Sequence, residues 1–217
     1  MTMRHALYSF AFGLLAILPA TTYAAVELEM VAVDSDVVLS GSGTLNLSST
    51  TNFATSGTKT QSAIDAGGLF APSAVTGSNT EVEVRVECGS VTGPVSLGSG
   101  AAVSKSDEGS GHTFGIFGAG ENYGSGGKGL CLLVEKAYVS GDQLSGSARF
   151  ANASLSSLGV TKGTYRWTWG TGASADSLTL YIGGKPAPPA VVPTLPRSLM
   201  LLLMILLALM GVKRARR

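Results

Sequence analysis

Two cysteines and two histidines are all the chain has of the side chains that most often hold transition metals. His5 falls in the leader described below, and Cys88, Cys131 and His112 stand too far apart for any zinc-ligand spacing. No G-x-S-x-G elbow follows a strand, so nothing marks a hydrolase nucleophile. The glycine-rich stretches lack the lysine of a phosphate-binding loop. Charge is scarce as well, at 13% of residues. Long helical periodicity is missing between Ala25 and Tyr181, which argues against a helical or α/β domain. No metal or other cofactor is expected.

The little charge present is unevenly placed. All fourteen acidic residues lie between Glu27 and Asp176, whereas Arg4, Arg197, Lys213, Arg214, Arg216 and Arg217 sit near the ends. The middle of the chain keeps nine basic residues and carries a net charge of −5. That balance offers no electrostatic footprint for nucleic acid. The mean hydropathy of +0.31 reflects the two ends rather than a greasy domain.

Both ends read as addresses. Arg4 and His5 precede an apolar stretch from Ala6 to Leu18, then Pro19 and the small residues Thr22 and Ala24. This pattern predicts a signal peptide over residues 1–24, cleaved after Ala24. At the other end, Val192-Pro193-Thr194-Leu195 is followed by an apolar run from Leu199 to Val212 and by Lys213-Arg214-Ala215-Arg216-Arg217. The run predicts a short transmembrane helix over 198–212, about 21 Å long in its 14-residue apolar core, against a hydrocarbon layer of ~30 Å. Arg197 and Lys213 flank it, and the positive-inside rule places Lys213, Arg214, Arg216 and Arg217 in the cytoplasm. The expected localisation is export through the inner membrane, anchorage facing the periplasm, and onward passage to the surface.

Residues 25–182 match one all-β domain, an antiparallel β-sandwich of jelly-roll or immunoglobulin-like type. Glu81-Val82-Glu83-Val84-Arg85-Val86-Glu87 alternates, predicting a strand with valines inward and charges in water. Glu27 to Val31 begins in the same way. Leu130 to Val134 reads as a strand buried on both faces, continued by Ala137-Tyr138-Val139. Gly163 to Trp169 and Asp176 to Ile182 read as a pair across a glycine-containing turn, and Leu155 to Leu158 as one helical turn stopped by Gly159. Gly98–Gly111 and Gly118–Gly129 read as mobile loops. Residues 183–192 form a Gly/Pro-rich spacer ahead of the sorting tail at 193–217, extended at roughly 3 Å per residue.

Few residues here are candidates for chemistry. Cys88 and Cys131, in an exported chain, are most simply one disulfide closing a loop of about 43 residues, with two buried thiols as the alternative. His112 sits in a glycine-rich loop, a poor scaffold for a catalytic base. Asp34-Ser35-Asp36 lacks the further oxygens of a calcium loop. The sequons Asn46-Leu47-Ser48 and Asn152-Ala153-Ser154 are short enough to arise by chance and matter only beside glycosylation machinery. Alternation puts Tyr165, Trp167 and Trp169 on one face, read as the core seam against Leu178, Leu180 and Ile182 because the domain needs their buried area, with a stacking platform for sugar rings as the alternative.

Tyr138-Val139-Ser140-Gly141, Leu144-Ser145-Gly146, the run Leu158-Gly159-Val160-Thr161-Lys162-Gly163-Thr164-Tyr165-Arg166-Trp167-Thr168-Trp169-Gly170 and Asp176-Ser177-Leu178-Thr179-Leu180 resemble the domain of PEP-CTERM-type bacterial surface proteins. The tail, with its Val192-Pro193-Thr194-Leu195, resembles the related IPTL-CTERM sorting signal, from which it departs at Pro196-Arg197-Ser198. The resemblance implies recognition of the tail by an exosortase-type integral membrane transpeptidase. It carries no catalytic activity. A non-enzymatic surface or matrix protein of a Gram-negative bacterium is the function expected, with exopolysaccharide as a candidate partner. A carbohydrate-binding module using the aromatic strand and a secreted hydrolase using His112 are the alternatives.

Overall fold

A computed structural model describes residues 25–56, 62–67, 73–78, 82–100, 103–119 and 129–187. The expectations for the signal peptide, for Val192 to Leu195 and for the helix with its basic flanks lie outside the described residues. Thirteen strands are described, numbered here in chain order. One sheet runs β12 (Gly163–Trp169), β13 (Asp176–Ile182), β1 (Ala25–Val33), β2 (Asp36–Thr44), β11 (Gln143–Phe150) and β8 (Glu108–Gly111). The other runs β3 (Thr50–Ser56), β6 (Val84–Gly89), β10 (Gly129–Glu135), β9 (Phe114–Ala119), β5 (Ser73–Thr76), β4 (Ala63–Asp65) and β7 (Ser104–Lys105). Leu28, Leu39 and Leu180 from the first sheet share a core with Ile64, Ile116 and Leu132 from the second. The domain is an all-β sandwich.

The sandwich is not antiparallel throughout. β1 and β13 pair in parallel, Ala25 opposite Ser177 and Met30 opposite Ile182. Parallel strands need a long connection, and here the whole domain lies between its first and last strands. Alternation in the first sheet is regular. Val26, Leu28 and Met30 are fully buried, while Glu27 and Glu29 point the other way, beside Ser42 and Ser40 of β2. The pair β12 and β13 forms as expected, Trp167 opposite Leu178 and Trp169 opposite Asp176.

β6 reverses the expected orientation. Its valines are buried, but register puts Arg85 and Glu87 opposite Val134 and Leu132, on the face that meets the first sheet. Val84 and Val86 lie on the outer face, in small clusters with Leu133, Cys88, Cys131 and Phe117. Alternation separates two faces but does not say which one meets the other sheet. The inward charges are paired: Arg85 Nε lies 2.9 Å from Glu87 Oε1, and Thr50 donates to Glu87 Oε2.

The same guanidinium explains why β10 stops at Glu135. Arg85 donates to the carbonyls of Lys136 and Tyr138, so Ala137 to Val139 turns away instead of extending the strand. Within the expected loop Gly98–Gly111, residues 104–105 and 108–111 pair as β7 and β8. Leu155 to Leu158 is a single turn, closed by a Leu158 N–H to Ser154 C=O bond and by Gly159 at φ +70°. No α-helix occurs among the described residues.

Candidate functional site

The aromatic strand is where the sequence placed a possible ligand surface, and its geometry settles what the rings touch. Trp167 is fully buried and Trp169 is 2% exposed, both within the shared core, with Tyr165 packed against it. Each polar tip reaches a backbone carbonyl in a segment outside its own sheet. Trp169 Nε1 donates to Asn46 C=O at 2.8 Å, Trp167 Nε1 to Pro94 C=O at 3.0 Å, and Tyr165 Oη to Thr161 C=O at 2.8 Å with Leu97 C=O at 3.2 Å. The strand is therefore the core seam and also a clasp. It pins the crossover from β2 to β3 and the loop that follows β6. Gly93 fits beneath Trp167, since an added Cβ would collide with indole Cδ1.

The crossover is held from further sides. Asp176 Oδ2 accepts from Asn46 N–H at 2.6 Å, and Ser140 Oγ accepts from Leu47 N–H at 2.8 Å. The Tyr138 hydroxyl accepts from Leu45 N–H at 2.9 Å and donates toward the Asp142 and Leu45 carbonyls. Leu45 is fully buried, so its backbone groups have no water to turn to. Tyr138→Phe leaves that N–H unpaired and is expected to cost about 1–3 kcal/mol in a urea titration. Sequence reasoning missed this role for Tyr138, Ser140 and Asp176. The one available signal was the polar residue opening β13, in a strand otherwise apolar on alternate positions.

Asp176 is 5% exposed, and burial pushes its carboxyl up to about 6 although the Asn46 and Ser177 N–H groups pull the other way. A carboxyl raised above its unfolded value of ~3.9 binds its proton more tightly in the folded state, so folding stability falls as pH rises from about 4 to 6. The expected loss is roughly 2–3 kcal/mol, complete by about pH 7, and absent in Asp176→Asn. Asp36 and Glu108 act in the opposite sense below that window. The Asn152 N–H lowers Asp36 first and Arg149 second, and Arg149 lowers Glu108, so their stabilisation disappears as pH falls through the acid range. Denaturant titrations from pH 4 to 8 check the sign.

The other candidates are placed as follows. Cys88 and Cys131 form a disulfide between directly opposed residues of β6 and β10, with Cα atoms 4.4 Å apart. His112 is exposed and its Nδ1 faces the Ser145 backbone, 3.3 Å from both N and O. Asp36 is engaged by Arg149 and by Asn152 N–H. Among the described residues no group of three or more His, Cys, Asp or Glu is arranged to hold a metal ion. No described helix is long and apolar enough to cross a membrane.

Residues 183–185, read from the sequence as the start of the spacer, are bonded to the first sheet. Gly183 N–H bonds Met30 C=O, and Gly183 and Gly184, at φ +90° and +105°, turn the chain back over the outer face of the first sheet. There Lys185 Nζ meets Glu27 Oε2 at 2.6 Å and lies 5.5 Å from the Tyr181 ring centre, while its N–H bonds Glu29. Glu27, Glu29, Ser40, Ser42, Tyr181 and Lys185 line a shallow depression of about 270 Å³. Residues 183–185 thus belong to the domain. Comparison with known proteins finds no matching family model, no matching curated protein and no matching solved structure.

Proposed function

We propose that the chain is an exported, non-enzymatic surface or extracellular-matrix protein. In this reading it is anchored in the inner membrane by its C-terminal tail and processed near Val192-Pro193-Thr194-Leu195 by an exosortase-type transpeptidase. The observation that carries the reading is the Cys88–Cys131 disulfide, because such a bond persists in oxidising compartments outside the cytosol. The clasp supports it too. The side chains that resemble the PEP-CTERM domain pattern (Tyr138, Ser140, Tyr165, Trp167, Trp169 and Asp176) hold the β2–β3 crossover and the loops beside β12, a structural use rather than a catalytic one. The finer jelly-roll or immunoglobulin-like assignment, the leader and the transmembrane helix belong to the same proposal.

The test is the intact mass of the protein recovered from the surface of its host. The reading expects a chain that starts at Ala25 and ends near Thr194 or Leu195. A mass that retains Arg217 removes tail processing, and one that retains Met1 removes cleavage after Ala24.

A further inference from the structure

Three residues beyond the last strand are held to the sandwich from its outer face. Gly183 and Gly184, at φ +90° and +105°, take backbone that L side chains resist, and an added Cβ at Gly183 would meet Lys162 Cγ at 2.9 Å. Their turn brings Lys185 back over β1. Lys185 N–H donates to Glu29 Oε1 at 2.9 Å and its Nζ to Glu27 Oε2 at 2.6 Å. The ammonium also lies 5.5 Å from the Tyr181 ring centre, within cation–π range. The compact unit that contains the sandwich ends at this residue.

The hold is specific but light. Lys185 is 54% exposed and Glu27 50%, so water and salt compete for the ion pair. Ile182 is buried, and none of the described residues after it is. Lifting residues 183–185 therefore exposes no core side chain and leaves β13 in place. Local opening of this kind belongs to the low-stability end of a fold. It changes the length of the spacer. With the three residues docked, residues 186–191 separate the domain from Val192; with them lifted, the free stretch is 183–191. At the ~3.1 Å per residue of an extended proline-rich chain, the longest span grows from about 19 Å to about 28 Å.

We propose that residues 183–185 are a releasable strap that shortens the spacer and so restrains a membrane-bound sorting enzyme from reaching Val192-Pro193-Thr194-Leu195, an inference that rests on the tail-processing reading. Glu27 and Glu29 are the anchor of the strap, and Lys185 is its catch. Docked, it draws the domain toward the motif and crowds the enzyme; lifted, it adds three residues of clearance.

The experiment combines two readouts. Amide exchange at Gly183 and Lys185 is measured by NMR on the uncut full chain in detergent micelles, and tail cutting is followed by pulse-chase in the host. In the parent both amides are expected to exchange more slowly than in an open chain. Glu27→Lys sets like charges together and is expected to speed exchange at Lys185 and tail cutting by about two- to fivefold, the range an exposed ion pair allows. Glu27→Lys/Lys185→Glu restores opposite charges and is expected to bring both rates back toward the parent. Open-chain exchange at Lys185 in the parent overturns the strap. Exchange that follows the charges while cutting stays at the parent rate overturns its control of the tail and leaves tail processing standing. Faster cutting in Glu27→Lys that the double variant does not reverse overturns the ion pair as the catch. A parent chain that is never cut overturns the tail-processing reading and this inference together.

Discussion

Trp167→Ala is expected to destabilise the domain by about 3–5 kcal/mol, the cost of emptying a fully buried indole site. In a domain of this size that lowers the melting temperature by roughly 6–20 °C. Two losses combine in the variant. The core between β12, β13 and the opposite sheet loses its largest side chain, and the Pro94 carbonyl loses its indole donor. Trp167→Phe separates them. It keeps most of the apolar volume but not the N–H, and is expected to cost about 1–2 kcal/mol from the lost bond, with some further cost for the smaller ring. Thermal melts followed by circular dichroism measure both. If Trp167→Ala melts within 2 °C of the parent, the strand is not the clasp described here.

Removing the disulfide is the second large effect. Cys88 and Cys131 close a loop with a sequence separation of 43. The chain-entropy model assigns such a loop roughly 3–4 kcal/mol, acting on the unfolded state. The Cys88→Ala/Cys131→Ala variant is expected to lose that amount, and so is the parent after full reduction. Strands β6 and β10 stay paired in both, because Leu133 opposite Val86 and Leu132 opposite Glu87 hold register without the sulfur bridge. Denaturant midpoints with and without reductant give the comparison. Equal midpoints, with reduction confirmed by thiol titration, contradict the prediction.

How far the sequence foretold these results depends on what each pattern encodes. Strict alternation, as in Glu27 to Met30 and Thr164 to Trp169, predicts a strand and its two faces, and the structure bears both out. It does not say which face meets the other sheet, and β6 shows the consequence. There a run of valines covers the outside while Arg85 and Glu87 go in, because the two are ion-paired and Thr50 donates to Glu87. The end of β10 was equally hidden, since it depends on a guanidinium some fifty positions earlier, at Arg85. The parallel pairing of β1 with β13 is a property of topology, which local pattern does not carry.

The candidate site was legible as a set of core residues and not as a clasp. Tyr165, Trp167 and Trp169 were visible on one face, with the core seam preferred to the sugar platform. What decides between them is the position of Asn46, Pro94 and Leu97, each remote in sequence and each offering a carbonyl to one ring. Lys185 was read as part of a stalk because prolines follow it. Its ion pair with Glu27 depends on two glycines turning the chain back.

The central claim is that the aromatic strand fastens the sandwich from inside. It is tested most directly by acrylamide quenching of tryptophan fluorescence, because Trp167 and Trp169 are the chain's only tryptophans. The account predicts weak quenching in the native state, unchanged by added polysaccharide, rising to that of free indole only on unfolding. Strong quenching of the native protein, or a spectral shift on adding polysaccharide, would contradict it.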